Sequence, residues 1–208
     1  MNTDEIEISI ERIPVARCSQ CSGLMDLSEC DLFSLIACPG CGAEKTVPGR
    51  LGDYLILEFI GRGGGGAVYR GLDPMLNRPV AIKVLLKGMA GTPEALEQLR
   101  HEARTAAMVN HPNVAVVYTF GLARGQPYIV MEHVEGTSLK ELIQTASPLD
   151  QYLVVKIGIE IASGLKAASH MGLIHGDVKP ENILVNSRFE AKLIDFGLAA
   201  FVEKVEAG

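Results

Sequence analysis

The chain has no stretch of about 18 uninterrupted apolar residues among its 208, so it contains no membrane span. It has no secretory leader either: Met1 to Glu11 is acidic and lacks an apolar core. Basic charge is in short supply, with 19 Lys+Arg against 25 Asp+Glu and a net charge of −6. That balance counts against a nucleic-acid partner held by phosphate neutralisation. The deficit is shared: residues 1–52 hold 8 acidic and 4 basic residues and the remainder 17 and 15, so neither part hides a basic patch. No internal repeat occurs, and no low-complexity tract beyond the glycines of Gly63–Gly66. Apolar residues are not lacking: 48% hydrophobic and 21% charged is the balance of a globular protein, which excludes disorder of the whole chain. With two C-x-x-C pairs and no apolar leader, the expected location is the reducing cytoplasm.

Three segments follow in order. Residues 1–14 are a polar, acidic lead. Residues 15–49 hold the five cysteines and end in Pro48-Gly49. From residue 53 to 208 strand and helix patterns are dense. Strands are expected at Tyr54–Ile60, Ala67–Leu72, Pro79–Leu86, Val114–Leu122 and Pro127–Val134. A helix starts at Thr92-Pro93-Glu94 and runs to about Val109. Ser138–Thr145 and Leu149–His170 read as helices, the second with Leu153, Ile157, Ile161, Leu165 and Ala168 on one face. Short strands at Ile183–Val185 and Lys192–Ile194 come next. Five strands with one inserted helix, then a mainly helical part, make an α+β fold rather than a repeated βαβ unit.

Four of the cysteines form two C-x-x-C pairs, Cys18/Cys21 and Cys38/Cys41, separated by 16 residues. That spacing falls in the range of about 15–20 typical of zinc sites. Each pair supplies two thiolates from one tight loop, and two pairs complete a tetrahedron. With no position left for water, a Zn²⁺ bound there would be structural; two unrelated pairs, or disulfide or redox cysteines, are the other readings of the four. Gly23 and Gly42 follow the pairs where the backbone must bend. The segment resembles a zinc ribbon. Cys30 has no partner at ligand spacing and reads as a small core residue. So short a segment cannot build a sufficient apolar core, and metal binding would supply much of its folding energy.

Gly61-x-Gly63-x-x-Gly66 is a weak signal by itself. A dinucleotide-binding loop leads from a strand into a helix; here Gly66 leads into the strand-like Ala67–Gly71 and then an Asp-Pro turn. The glycines therefore cap a β-hairpin, which alone could be a plain flexible turn. No G-x-x-x-x-G-K-[ST] occurs, which excludes a P-loop NTPase. Further on come Val80-Ala81-Ile82-Lys83, then Glu102, then His111-Pro112-Asn113, then His175-Gly176-Asp177-Val178-Lys179-Pro180-Glu181-Asn182, then Asp195-Phe196-Gly197.

In this order the motifs resemble those of the eukaryotic-like (Hanks-type) bacterial Ser/Thr protein kinases, almost continuously over residues 53–197. The resemblance implies a kinase-like fold: a five-stranded N-lobe with one helix over about 53–134, and a partial helical C-lobe over 135–208, preceded by the ribbon. It implies transfer of the ATP γ-phosphate to Ser/Thr hydroxyls of a protein substrate, with ATP and Mg²⁺ as cofactors beside Zn²⁺. Gly61, Gly63 and Gly66 would form the lid over the phosphates, and Lys83 a fixed cation for the α/β-phosphates. Glu102, which the apolar positions Leu99, Ala103 and Ala106 set at the helix's inner boundary, would hold Lys83; Glu97 lies on the outer side. Val68, Ala81 and Leu184 would sandwich the adenine, Met131 would be the gatekeeper, and the backbone at Glu132 and Val134 would hydrogen-bond the base. Asp177 would be the catalytic residue that orients or accepts the hydroxyl proton, with Lys179 beside the γ-phosphate. Asn182 and Asp195 would offer oxygens to Mg²⁺, and His175 and Phe196 would join an apolar column.

The sequence departs from the family at four places. Gly176 stands where the family usually has Arg, so phosphorylation of an activation loop should not control this protein in the usual way. The lid tip, Gly64 and Gly65, carries no aromatic, which implies a mobile lid and modest nucleotide affinity. Ala106 is small for its place in the column. The chain stops 11 residues after Gly197, short of an A-P-E motif and the later helices, which implies a truncated kinase with an exposed apolar face. Two other readings therefore stand beside the kinase: a non-catalytic remnant that binds nucleotide or a partner, and a ribbon that serves as a protein-recognition or nucleic-acid module. The acidic balance of residues 1–52 disfavours nucleic acid and leaves a protein partner for the ribbon.

Overall fold

A computed structural model describes residues 10–63, 65–86, 91–146 and 148–196. The acidic lead up to Ser9, Gly64 of the lid, Gly197 and the tail after it lie outside the described residues. The chain divides into two units, residues 1–86 with 121–128, and residues 87–120 with 129–208.

The first unit begins with β1 (Glu11–Arg12) and two small hairpins, β2 (Val15–Arg17) with β3 (Leu24–Asp26) and β4 (Leu35–Ala37) with β5 (Glu44–Thr46). Each hairpin carries one C-x-x-C pair at its turn. Cys18, Met25, Leu27, Cys38 and Val47 form a buried cluster, with Cys30 packed against it as a small core residue. After β6 (Gly49–Leu51), the chain turns into β7 (Tyr54–Gly63), β8 (Gly66–Asp73) and β9 (Arg78–Leu85).

In the second unit, α1 (Pro93–Ala107) starts at Thr92, whose hydroxyl accepts from Ala95 N at 3.1 Å, and buries Leu99, Ala103 and Ala106. β10 (Val117–Ala123) and β11 (Gln126–Glu132) run across the division of the chain. Then come β12 (Thr137–Ser138), α2 (Leu139–Thr145), α3 (Gln151–His170), β13 (Ile183–Val185) and β14 (Ala191–Leu193). Ser138 and Glu141 close a reciprocal capping box on α2. Asp150 caps α3 by accepting from Tyr152 N and Leu153 N. The expected stripe on α3 is the inner one: Ile157, Ile161 and Ala168 are buried, and Leu153 and Leu165 pack beside them.

The expected five strands, β7–β9, β10 and β11, are present in a mixed α/β kinase-like arrangement, but their sheet has seven members in the order β1-β6-β7-β8-β9-β11-β10. The additional two flank the cysteine hairpins. Pro48-Gly49, expected to end a segment, leads directly into the sheet: Gly49 pairs with Ile56 and Leu51 with Tyr54. A second difference concerns β10, which begins at Val117 rather than Val114. Val114 is buried in the second unit's core, and the backbone there is committed elsewhere, Ala115 N donating to Leu193 O at 2.8 Å. Among the described residues no helix is long and apolar enough to cross a membrane.

Candidate nucleotide, catalytic and metal sites

The expected site residues are distributed over both units. In the first, β7 and β8 close the glycine hairpin with Gly63 opposite Gly66. Gly66 has φ +144°, and a Cβ there would lie 2.0 Å from Val84 O, so only glycine fits. At Gly61 a Cβ would meet nothing within 4 Å, which leaves that side of the strand open. Val68 lies opposite Lys83, and Ala81 opposite Arg70. Cross-strand partners share a face and residues two apart share it too, so Val68, Ala81 and Lys83 line one side of the sheet. Lys83 is buried at 7% exposure.

In the second unit, β13 and β14 form a ladder with Ile183 opposite Leu193, extended by Ile194 N donating to Asn182 O at 3.0 Å. This ladder sets Asn182 one residue from the register of Asp195. Asp195 holds φ +64°, a left-handed backbone that a non-glycine residue adopts at a cost. Asn182 ends the 3-10 turn Pro180–Asn182 and is buried; its Nδ2 donates to Asp177 O at 2.9 Å and to Asp177 Oδ2 at 3.0 Å. Lys179 Nζ lies 2.6 Å from Asp177 Oδ2. The hydrogen bond from Lys179 holds the Asp177 carboxyl below its usual range, against a smaller opposing effect of burial. The same bond raises the Lys179 ammonium. His175 Nδ1 accepts from Asp177 N at 3.2 Å while Nε2 faces Ile194 O at 3.0 Å, which together require the Nε2–H tautomer. Its ring meets Phe196 edge-on at 4.6 Å. Asp177, Lys179, Asn182 and Asp195, expected to act together, are thus held by one loop and one hairpin, and His175 and Phe196 are neighbours as expected.

The segment expected to hold the base is more committed than the sequence suggested. Glu132 N donates to Val116 O at 2.8 Å, leaving its carbonyl as the group for a base. Its carboxylate pairs with Lys192, an ion pair that no spacing rule reveals. Met131 is buried and, with Ala103, Ala106 and Phe196, lines a cavity of about 20 Å³. A wider hollow of about 890 Å³ touches Glu132 and Val134 but neither Met131 nor Leu184, so it does not coincide with the expected nucleotide residues. Glu102 lies on α1 and accepts from Gln98 Nε2 at 3.2 Å.

His111-Pro112-Asn113 had no role beyond its place in the motif order. Asn113 Nδ2 donates to Ala191 O, and His111 Nε2 lies 3.1 Å from Ser163 Oγ, so the tripeptide ties α3 and β14 together.

In the cysteine segment, Cys18 Sγ lies 3.7 Å from Cys41 Sγ and Cys21 Sγ 3.6 Å from Cys38 Sγ, with all four within 4.8 Å of one another. Four thiolates at 2.3 Å from a tetrahedral metal stand about 3.8 Å apart, so the donors fit such an ion. Backbone N–H groups of Cys21 and Gln20 stabilise the Cys18 thiolate and bring it down to about 6. At Cys41 the N–H of Ala43 favours the thiolate, but the three neighbouring cysteines and burial together outweigh it, and the thiol is pushed up to about 11. The sharp bends differ from expectation in one detail. Gly42 takes the left-handed conformation at φ +73°, but in the first hairpin Ser22 does so at φ +59° rather than Gly23. Ser22 N donates back to Cys18 O at 2.8 Å just as Gly42 N does to Cys38 O, so both turns close on the residue after the second cysteine.

A family model described as protein kinase domain matches residues 54–207. The serine/threonine-protein kinase PknL of Mycobacterium tuberculosis is 43% identical over 149 residues, which is 72% of this chain and 37% of the relative. PknB of Mycobacterium leprae, also named a serine/threonine-protein kinase, is 36% identical over 159 residues, or 74% of this chain and 26% of the relative. The crystal structure of the M. tuberculosis PknI kinase domain superposes with a TM-score of 0.65 at 30% identity, covering 73% of this chain and 61% of that one. The chain thus spans about a third of the curated relatives it matches. With the motifs placed as described and the match running through nearly all of residues 54–207, the chain belongs to the protein kinase domain family.

Proposed function

We propose that the chain carries the nucleotide and catalytic residues of a Ser/Thr protein kinase, with a structural Zn²⁺ ribbon joined to its N-terminal sheet. The observation that carries the reading is the Asp177–Lys179–Asn182 network beside the strained backbone of Asp195. Gly61, Gly63 and Gly66 cover the ATP phosphates. Lys83 neutralises the α/β-phosphates, with Glu102 holding it. Val68, Ala81 and Leu184 contact the adenine, Met131 gates the space behind it, and the Glu132 carbonyl and the Val134 backbone read its edge. Asp177, kept ionised by Lys179, accepts the proton of the attacking Ser/Thr hydroxyl as that oxygen bonds to the γ-phosphorus. The bond to the β–γ bridging oxygen breaks and ADP leaves, while Lys179 follows the charge of the transferred group. Bound Mg²⁺ supplies further neutralisation of the phosphate charge; Asn182 Oδ1 and the Asp195 carboxylate are its ligands, since Asn182 Nδ2 is committed to Asp177.

Cys18, Cys21, Cys38 and Cys41 hold the Zn²⁺. Leu24 and Leu35, 62% and 67% exposed on the ribbon hairpins, favour a protein partner for this segment over nucleic acid.

A second reading, nucleotide binding without turnover, is favoured by the outer face of α3. Tyr152, Val155 and Ile159 are 77%, 59% and 65% exposed there, and Ile174 before the catalytic loop is 80% exposed. The two readings separate in one assay of γ-phosphate transfer to a generic Ser/Thr protein substrate. The kinase reading expects transfer that Asp177→Ala removes; transfer absent from parent and variant alike, with Mg-ATP binding retained, establishes the second reading.

A further inference from the structure

We infer that Phe33 is a positioning residue for the glycine hairpin, through which the cysteine ribbon braces the outer face of that hairpin. The proposal rests on the reading of the hairpin as the phosphate lid. Phe33 lies in the connector between the two cysteine hairpins and holds φ +68°, a conformation that costs a bulky residue backbone energy. Its place is fixed on both sides: Phe33 N donates to Val47 O and Val47 N to Ser34 O, each at 2.9 Å. The ring so presented is half-buried and lies 5.8 Å from that of Tyr69. Tyr69 in turn meets Phe59 edge-on at 5.5 Å.

The location of this row of three rings gives it a consequence. Phe59 and Tyr69 are cross-strand partners, and the next paired position is Gly61 with Val68, a shift in register immediately before the glycine run. A bulge there would leave the strand free to bend, and the rings hold it. Alternation places Tyr69 on the face opposite Val68 and Lys83. The burial of β8 agrees: Ala67, Tyr69, Gly71 and Asp73 are buried, whereas Val68, Arg70 and Leu72 are half-exposed. Phe33 of the ribbon therefore meets the hairpin on the face opposite Val68 and Lys83. Pairing of β1 with β6 and of β6 with β7 fixes the ribbon to the same sheet by its backbone. A lid without an aromatic at its tip thus takes support from behind.

Hydrogen exchange on the whole 208-residue chain tests this without requiring nucleotide. Phe33→Ala is expected to speed exchange at the amides of residues 58–63 and 66–70 by about two- to tenfold, the range that loss of one aromatic contact gives. Exchange in β9 and bound zinc should be unchanged, and Phe33→Tyr should restore protection. Mg-ATP affinity should weaken in Phe33→Ala and recover in Phe33→Tyr. If Phe33→Ala also unfolds the ribbon and releases zinc, Tyr69→Leu decides, since it removes the ring from the sheet side. Hairpin exchange that stays at the parental rate in a zinc-loaded Phe33→Ala or Tyr69→Leu chain overturns the proposal. Faster hairpin exchange in Phe33→Ala, together with a parent that binds no nucleotide, leaves the brace standing and refutes the lid reading instead.

Discussion

Asp195 and Gly176 both sit in the left-handed backbone region, at φ +64° and +78°. For glycine that conformation carries no steric cost, and aspartate adopts it at a modest one. Gly176 explains a departure from the family that looked purely regulatory in the sequence. The turn between His175 and Asp177 needs positive φ here, so any larger side chain is disfavoured whatever its charge. Gly176→Ala should destabilise the protein by about 1–2 kcal/mol in urea unfolding. Gly176→Asn should cost less, because asparagine tolerates this region. Equal stability of Ala and glycine at this position would show that the turn relaxes to another conformation.

Among the elements, α1 and the cysteine hairpins carry separable expectations. Ala106 on α1 lines the cavity of about 20 Å³ shared with Met131 and Phe196, room for one water at most. Leucine brings three more carbons than that space accepts, so Ala106→Leu should destabilise by about 1–3 kcal/mol in the same measurement. A gain in stability would mean that the helix shifts to open the column. For the hairpins, metal analysis should find one Zn²⁺ per chain, and Cys38→Ser should abolish it, since Cys38 is buried at 2% exposure and no substitute donor lies within the group of four. Zinc that survives the substitution would rule out the four-cysteine site.

Elements differed in how much of them the sequence revealed. The cysteine hairpins, the glycine hairpin and the loop from His175 to Asn182 were legible because their chemistry is local: two thiolates from one turn, or a carboxylate and an ammonium two residues apart. β1 and β6 were not. Glu11-Arg12 and Gly49-Arg50-Leu51 are too short and too polar to alternate, and only the pairing of β6 with β7, and of β1 with β6, makes them strands. The same holds for Gln126, wholly buried at the start of β11 with its Nε2 donating to Leu85 O, and for the Glu132–Lys192 ion pair. These partners lie 41 and 60 residues apart, beyond the reach of any periodicity.

At the scale of the whole molecule, the two units divide the expected nucleotide residues between them. Val68, Ala81 and Lys83 belong to the first, and Asp177, Asn182, Leu184 and Asp195 to the second. The proposed nucleotide contacts draw on residues of both units, and removing a charge from either should lower affinity. Calorimetric titration of Mg-ATP into the parent, Lys83→Ala and Asp195→Ala tests this most directly. The account predicts Mg²⁺-dependent binding by the parent that either substitution weakens about tenfold or more, the loss expected for a charge-assisted contact. Identical affinity in all three proteins would contradict it.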